Sequence, residues 1–430
     1  MQLKNKNTRL VEKLAVATAT LLGTSAGAQN AEEDWQFVGT MLAYSEPDRV
    51  SALEMILTAE KSYDDTAKLA YKVVFDSLTG ASANGAIEQD QVQTFTRPSG
   101  NGQYSISALD TPLDDTFKDT RVQFNVSWSD TFSQDYLYTV GTNISKEYDY
   151  ISLAVNGEIA RNFNQKNTTL SAGLSFASDS IEPEGGRPLA FSSMVIDQGQ
   201  FADDASYRAA FDTTRIDGDG SVDTAELLFG WTQVIDRHSI MQLNVGYADM
   251  SGYLTDPFKV LSSIDSNAQA QDYRYENRPD SRSQFSLFGL YKYHLDESVI
   301  DISYRMVDDD WDIQSHTLDF KWHLFAGENT FWEPRIRYYQ QSAANFYMPY
   351  LVEGEALPEY ASADYRLADM TALTLGLKYG FMIGENRTEV RLEYYRQTPD
   401  GNGAEKVAAA SQYDLYPEVD AYILQATYYF

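Results

Sequence analysis

Asp420-Ala-Tyr-Ile-Leu-Gln-Ala-Thr-Tyr-Tyr-Phe430 decides the fold. Asp420, Tyr422, Leu424, Ala426, Tyr428 and Phe430 share one face of a strand, because side chains alternate sides with period two. The segment stops on an aromatic. A last strand of this kind, aromatic or apolar at alternate positions, resembles the signal read by the outer-membrane assembly machinery. Tyr428 and Phe430 are its expected core.

The same alternation recurs upstream. Val122, Phe124, Val126 and Trp128 interleave with Arg121, Gln123, Asn125 and Ser127. Ile300, Ile302, Tyr304 and Met306 interleave with Asp301, Ser303 and Arg305. Leu318, Phe320, Trp322 and Leu324 flank Asp319, Lys321 and His323. Leu373, Leu375, Leu377, Tyr379 and Phe381 flank Thr374, Gly376, Lys378 and Gly380, and Val390, Leu392 and Tyr394 flank Arg391 and Glu393. A soluble sandwich also alternates, but with shorter strands whose apolar faces pack together. Here many strands run to about ten residues or more, end in Tyr, Trp or Phe, and carry full charges on the polar face, as a membrane barrel requires.

Strands are read near 36–45, 49–62, 67–77, 119–130, 136–146, 150–160, 167–179, 223–234, 239–253, 282–293, 298–308, 312–324, 331–343, 370–382, 387–397 and 419–430. The expected fold is therefore all-β, a transmembrane antiparallel up-and-down barrel of about 16 strands, with 14 to 18 compatible. The long connections, 78–118, 180–222, 254–281, 344–369 and 398–418, all follow odd-numbered strands. Connections after even-numbered strands are short. That asymmetry matches long extracellular loops and short periplasmic turns.

Residues 1–28 read as a signal peptide, leaving 29–430 as the barrel domain. Lys4, Lys6, Arg9 and Lys13 precede a short apolar run, Leu14 to Leu22, and Ala26-Gly-Ala28 offers small residues for cleavage. No separate plug region is expected, since the first strand begins soon after that cleavage point. The run is too short to span a bilayer, and no stretch of 18 apolar residues follows. There is no cysteine, hence no disulfide framework. The formal charge of −30 argues against a nucleic-acid partner, whose phosphates need Lys and Arg. The expected surroundings are outer-membrane lipid and lipopolysaccharide, the assembly machinery, and a possible periplasmic partner.

Several stretches together resemble one family, domain of unknown function 3570. They are Tyr44-Ser-Glu-Pro-Asp-Arg-Val50, Asp76-Ser-Leu-Thr-Gly-Ala-Ser-Ala-Asn-Gly-Ala86, Lys146-Glu-Tyr-Asp-Tyr150, Glu182-Pro-Glu-Gly-Gly186, Gly252-Tyr-Leu-Thr-Asp-Pro257, Tyr275-Glu-Asn-Arg-Pro-Asp280 and Tyr338-Tyr-Gln-Gln-Ser-Ala343. The resemblance runs from about Trp35 to Phe430. It implies an exported envelope protein of proteobacterial type, and no activity, cofactor or catalytic residue.

Charged residues on the polar faces are the candidate site. A charge facing lipid at the membrane midplane costs about 2–4 kcal/mol, so Arg121, Asp301, Arg305, Asp319, Lys321, Glu333, Arg335, Arg337, Lys378, Glu389, Arg391 and Glu393 should line the lumen. They either set selectivity in a constriction or fill the lumen with cross-strand ion pairs. Asp217, Asp219 and Glu226 around Gly220 fall at calcium-ligand offsets, but Arg215 occupies the first ligand position. The expectation there is an acidic outer loop and no specific metal. His238, His294, His316 and His323 are the four histidines. The first two fall in turns and the last two on opposite faces of one strand, so no catalytic triad is expected. Gly80–Gly85 and Ser99-Gly-Asn-Gly102 precede no helix signal and read as loop, not nucleotide cradle. The leading function is a passive or gated channel for small polar solutes. A non-conducting scaffold is the alternative, and a hydrolase the third.

Overall fold

The computed structural model describes residues 35–63, 66–400, 406–415 and 417–430. The proposed signal peptide lies outside the described residues. Sixteen antiparallel strands close into one barrel. They are β1 (Trp35–Ser45), β2 (Val50–Ser62), β3 (Lys68–Ala83), β4 (Leu113–Ser133), β5 (Tyr136–Lys146), β6 (Tyr150–Phe163), β7 (Thr168–Ile181) and β8 (Gly220–Val234). There follow β9 (Ser239–Gly252), β10 (Ser281–Leu295), β11 (Ser298–Asp309), β12 (Gln314–Phe325), β13 (Phe331–Gln341), β14 (Met370–Ile383), β15 (Asn386–Pro399) and β16 (Val419–Tyr429).

Each strand pairs with its sequence neighbour, and β16 closes the ring on β1, from Val38 opposite Tyr429 to Ser45 opposite Tyr422. Phe430 completes the seam: its N–H donates to Phe37 O at 3.0 Å and its ring meets Tyr428 edge-on at 4.8 Å. Closure leaves no strand edge, the condition for a sheet in lipid.

Leu57, Phe124, Leu153, Phe176, Phe229, Leu318, Ile336, Leu375, Leu392 and Leu424 are all exposed. In a soluble protein so many exposed large apolar side chains would be a liability. Here period-two alternation gathers them on the outer face, and the polar partners turn inward. The sequence-based strands all recur, but β3 and β4 are longer than alternation suggests. Gly80 makes the extension possible: at φ +125° it lies so close to Arg49 O that a Cβ would sit 2.1 Å away, and the β3–β4 register shifts just beyond it.

The long segments after β3, β7, β9, β13 and β15 do not stand apart as solvent loops. They pack into one cap. A three-stranded sheet, Ala270–Tyr275, Val260–Ile264 and Tyr350–Val352, forms its centre. Helix α1 (Asp204–Asp212) and the hairpin Gln93–Thr96 with Gln103–Ile106 flank it. Asp203 caps α1 by accepting from Ser206 N, and Phe211 is the helix's buried anchor. Ile87, Ile264, Tyr350, Val407 and Tyr413, from four different segments, share one apolar cluster. Ile87 N donates to Ser262 Oγ at 3.1 Å, and Gln89 Nε2 to Ala268 O at 3.2 Å. The segment after β3 thus reaches the one after β9, far round the ring, so the cap crosses the mouth.

Candidate functional site

Alternation from the exposed Ile302, Leu318, Ile336, Leu377 and Leu392 puts Asp301, Arg305, Asp319, Lys321, Glu333, Arg335, Arg337, Lys378, Glu389, Arg391 and Glu393 on the face opposite the apolar band. The expected ladder spans adjacent strands β11 to β15. Arg121 lies apart, on β4. It is buried against Asp76, with Nε donating to Oδ2 at 2.7 Å, and 3.8 Å from Glu54.

Arg335 is the centre of the ladder. Its Nε lies 3.1 Å from both Asp319 carboxylate oxygens, and its Nη1 donates to Glu393 Oε1 at 2.9 Å. The second contact reaches across a whole strand, because Arg335 pairs with Gly376 and Gly376 with Glu393. A Cβ on Gly376 would come within 3.0 Å of Glu393 Oε1 and 3.4 Å of Arg335 Cβ. The missing side chain is what opens the bridge. One step lower, Lys378 Nζ lies 3.0 Å from Glu333 and 3.5 Å from Glu389. Arg391 lies 3.6 Å from Glu393 and donates to Gln425. Lys292 meets Asp301 at 3.2 Å.

At the end of the barrel away from the cap, Phe331 lies flat over Gly380, where a Cβ would sit 1.9 Å from the ring. His323 stacks on Phe331 at 4.0 Å and its Nδ1 is 3.2 Å from Glu333. Arg387 covers the same ring at 5.2 Å. His316, on the opposite face of β12, meets the Tyr304 hydroxyl at 2.7 Å. His238 lies in the turn before β9, and His294 near the end of β10 rather than in a turn.

Arg305, Lys321 and Arg337 have no carboxylate within 4 Å among the described residues, unlike the other ladder cations. Arg305 lies 5.3 Å from the Phe288 ring centre, and its Nη1 is buried without a hydrogen-bond partner. Arg337 has Asp319 opposite it in the ladder, but that carboxylate is turned to Arg335.

The wall from β4 to β9 is chemically different. Its inward positions are mostly small or neutral, among them Ser127, Gly141, Ala154, Gly173, Ser175, Gly230 and Gly246. Many of its polar contacts are neutral, such as Ser129 with Thr139 at 2.8 Å and Gln242 with Asn244 at 3.1 Å, and its charges, among them Arg121, Glu158 and Asp179, are fewer.

A second charge cluster lies in the cap, which sequence reasoning treated as loop. Arg278 Nε is 2.5 Å from Glu276, and Arg278 Nη2 is 2.9 Å from Asp364. Arg366 lies 3.0 Å from Asp256 and also pairs with Asp364. Lys259, fully buried, donates Nζ to Ala83 O. Burial pushes the Lys259 ammonium below its ordinary range and the Glu276 carboxyl above it. Burial also opposes ionisation of Asp364, but Arg366 and Arg278 outweigh it and hold that carboxyl low. Gln341, at the inner rim, donates to Arg366 O at 3.0 Å and to Ala368 O at 2.8 Å, pinning this cluster to β13. Arg215 joins the cap as well, with its guanidinium over the Phe211 and Tyr275 rings and donating to Tyr275 OH at 2.7 Å. Glu226 lies within β8, and no cluster of three potential metal ligands occurs among the described residues.

A closed antiparallel sheet, apolar outside and charged inside, defines a transmembrane β-barrel. The chain belongs to the family described as protein of unknown function (DUF3570), which it matches over residues 11–430. All seven stretches that carried the resemblance fall at the cap end: at strand tops, rim turns and cap segments. Among curated proteins, none matches this sequence. Among solved structures, the barrel is similar to CdiB from Acinetobacter baumannii, at 9% identity and TM-score 0.48, covering 93% of this chain and 61% of that one. It is also similar to a bacterial polysaccharide outer membrane secretin, at 8% identity and TM-score 0.43, covering 93% of this chain and 100% of that one. The siderophore receptor PirA from Acinetobacter baumannii aligns at 7% identity and TM-score 0.41, covering 86% of this chain and 54% of that one. The chain thus spans about half the length of the siderophore receptor it matches.

Proposed function

We propose that this protein is an outer-membrane channel for small polar solutes, exported by a signal peptide cleaved after Ala28 and gated by its cap. The observation that carries this reading is the inner wall. A 16-strand cylinder is wide enough to enclose water, and charges of both signs line one side of it. Fixed charge in a confined, low-dielectric passage is how pores select solutes. Tyr428 and Phe430, at the seam with β1, are the proposed mark for the assembly machinery. Lipid and lipopolysaccharide would cover the apolar band.

The test is single-channel conductance of purified, refolded protein in planar bilayers. Discrete steps that grow when the cap is destabilised support the channel. Silence with intact and with loosened cap sinks it. One observation favours a second reading, a non-conducting scaffold: the cap has apolar clusters of its own and crosses the mouth. Under that reading a periplasmic or surface partner is the ligand, and conductance stays absent throughout. N-terminal sequencing of the membrane-extracted protein tests export; a retained Met1 would refute it.

A further inference from the structure

The β10–β15 wall carries an excess of positive charge inside an acidic protein. The whole chain has 63 acidic and 33 basic residues. Yet alternation places Arg282, Lys292, Arg305, Lys321, Arg335, Arg337, Lys378, Arg387 and Arg391 on this inner wall, against Asp301, Asp309, Asp319, Glu333, Glu389 and Glu393. Nine cations face six carboxylates. The carboxylates are all engaged, with Arg282, Lys292, Arg335, Lys378, Arg387 or Arg391.

The surplus is not spread evenly. Arg305 and Arg337 lie on β11 and β13, separated only by β12. Arg305 pairs with Thr317 and Arg337 with Asp319, neighbouring inward positions of β12. Neither guanidinium meets a carboxylate within 4 Å among the described residues. Around them stand Phe288, Thr317, Tyr339 and Tyr395. The hydroxyls of Tyr339 and Tyr395 donate to Gln341 Oε1 at 2.5 Å and Gln397 Oε1 at 2.9 Å. An unpaired guanidinium out of bulk water is costly unless an anion or water meets its donors. Two planar forks on the same inner face, one strand apart, suit an oxyanion, which takes bidentate hydrogen bonds. On the wall from β4 to β9 the inward positions are mostly small.

We propose that Arg305 and Arg337 form an anion-binding site on the lumen wall, taking small oxyanions, that is, phosphate- or carboxylate-bearing solutes. This rests on the channel reading for its transport role but not for binding itself. Two measurements separate the failures. In bilayers under a potassium chloride gradient, the wild type should prefer anions, and millimolar inorganic phosphate should reduce its chloride current. Arg305→Gln with Arg337→Gln should shift the reversal potential toward cations and abolish the phosphate block. Arg305→Lys with Arg337→Lys should keep the anion preference and weaken the block about tenfold, since an ammonium lacks the fork. In detergent, calorimetric titration with inorganic phosphate reads binding without conduction. Phosphate binding by wild type, lost in the glutamine pair, supports the site even if no current flows. A conducting wild type that prefers cations overturns it, as does a wild type that takes up no phosphate in the titration. Both of these use unaltered protein, so they decide even if the glutamine pair fails to fold.

Discussion

The β4–β9 and β10–β15 walls belong to one sheet, with the same alternation and the same apolar outside, yet they solve opposite problems inside. The first is lined mostly by Ser, Gly, Ala and Asn, which need little from their neighbours. The second is a lattice in which Arg335 holds Asp319 and Glu393, and Lys378 holds Glu333 and Glu389. Its glycines differ accordingly. On the neutral wall, a Cβ at Gly173 would meet nothing closer than 3.6 Å, and the space at Gly141 is taken by the neutral Asn156 amide; on the charged wall, Gly376 and Gly380 are already occupied by their neighbours' side chains. Glycine leaves room for a neutral amide or for nothing on one side, and for ion pairs and an aromatic ring on the other.

The comparison breaks most sharply at Gly380. Gly380→Val should drive Phe331 off its seat and destabilise the barrel by about 3 kcal/mol or more, whereas Gly173→Ala should be nearly neutral. Urea unfolding in lipid vesicles, with the mobility shift on boiling, measures both. Comparable losses at the two sites would erase the distinction.

Arg335→Ala should come next. It strands Asp319 and Glu393 and should cost about 2 kcal/mol, less than a fully buried pair because these groups keep some exposure. Arg337→Ala, which removes no ion pair, should change stability little. If Arg337→Ala proves the more damaging, the pairing described here is not the one that matters.

Deleting Phe430 bears on the seam rather than on either wall. The yield of membrane-inserted barrel should fall severalfold, while the stability of molecules that do insert stays close to wild type. Unchanged yield would remove the assembly role proposed for the terminal strand.

The smallest effect lies at the cap-side rim, in the turn before β6. Burial, reinforced by Asp119, pushes the Asp149 carboxyl up from 3.8 to about 6. A raised acid binds its proton more tightly in the folded state, so its contribution is present below about pH 4 and is lost as pH rises through 6. Asp149→Asn should therefore strengthen the rim at pH 7 and do little at pH 4, by under about 1 kcal/mol after allowing for partial exposure. Amide exchange across Glu147–Tyr150 at the two pH values reads this directly, and equal protection gains at both would contradict it.

Much of this was legible in the residues. Val390 and Leu392 outward put Arg391 and Glu393 inward, because a strand has only two faces and lipid accepts one kind of side chain. Loop lengths alone separated the capped end from the short-turn end. Residues such as Phe95, Leu261 and Ile264 were a signal that the long segments bury a core, since solvent loops rarely carry such apolar runs. But no period links segments so far apart, so their convergence was not readable.

The sequence by itself determined a closed barrel, its inside and outside, and which side chains share the face opposite the apolar band, since each follows from local alternation and a membrane's intolerance of unpaired backbone. Only the tertiary structure decided that five loops form one cap, that Gly376 lets Arg335 reach Glu393, and that Arg305 and Arg337 go unpaired. Those depend on which neighbour a side chain chooses across strands, and that choice is made by register and by the space other side chains leave.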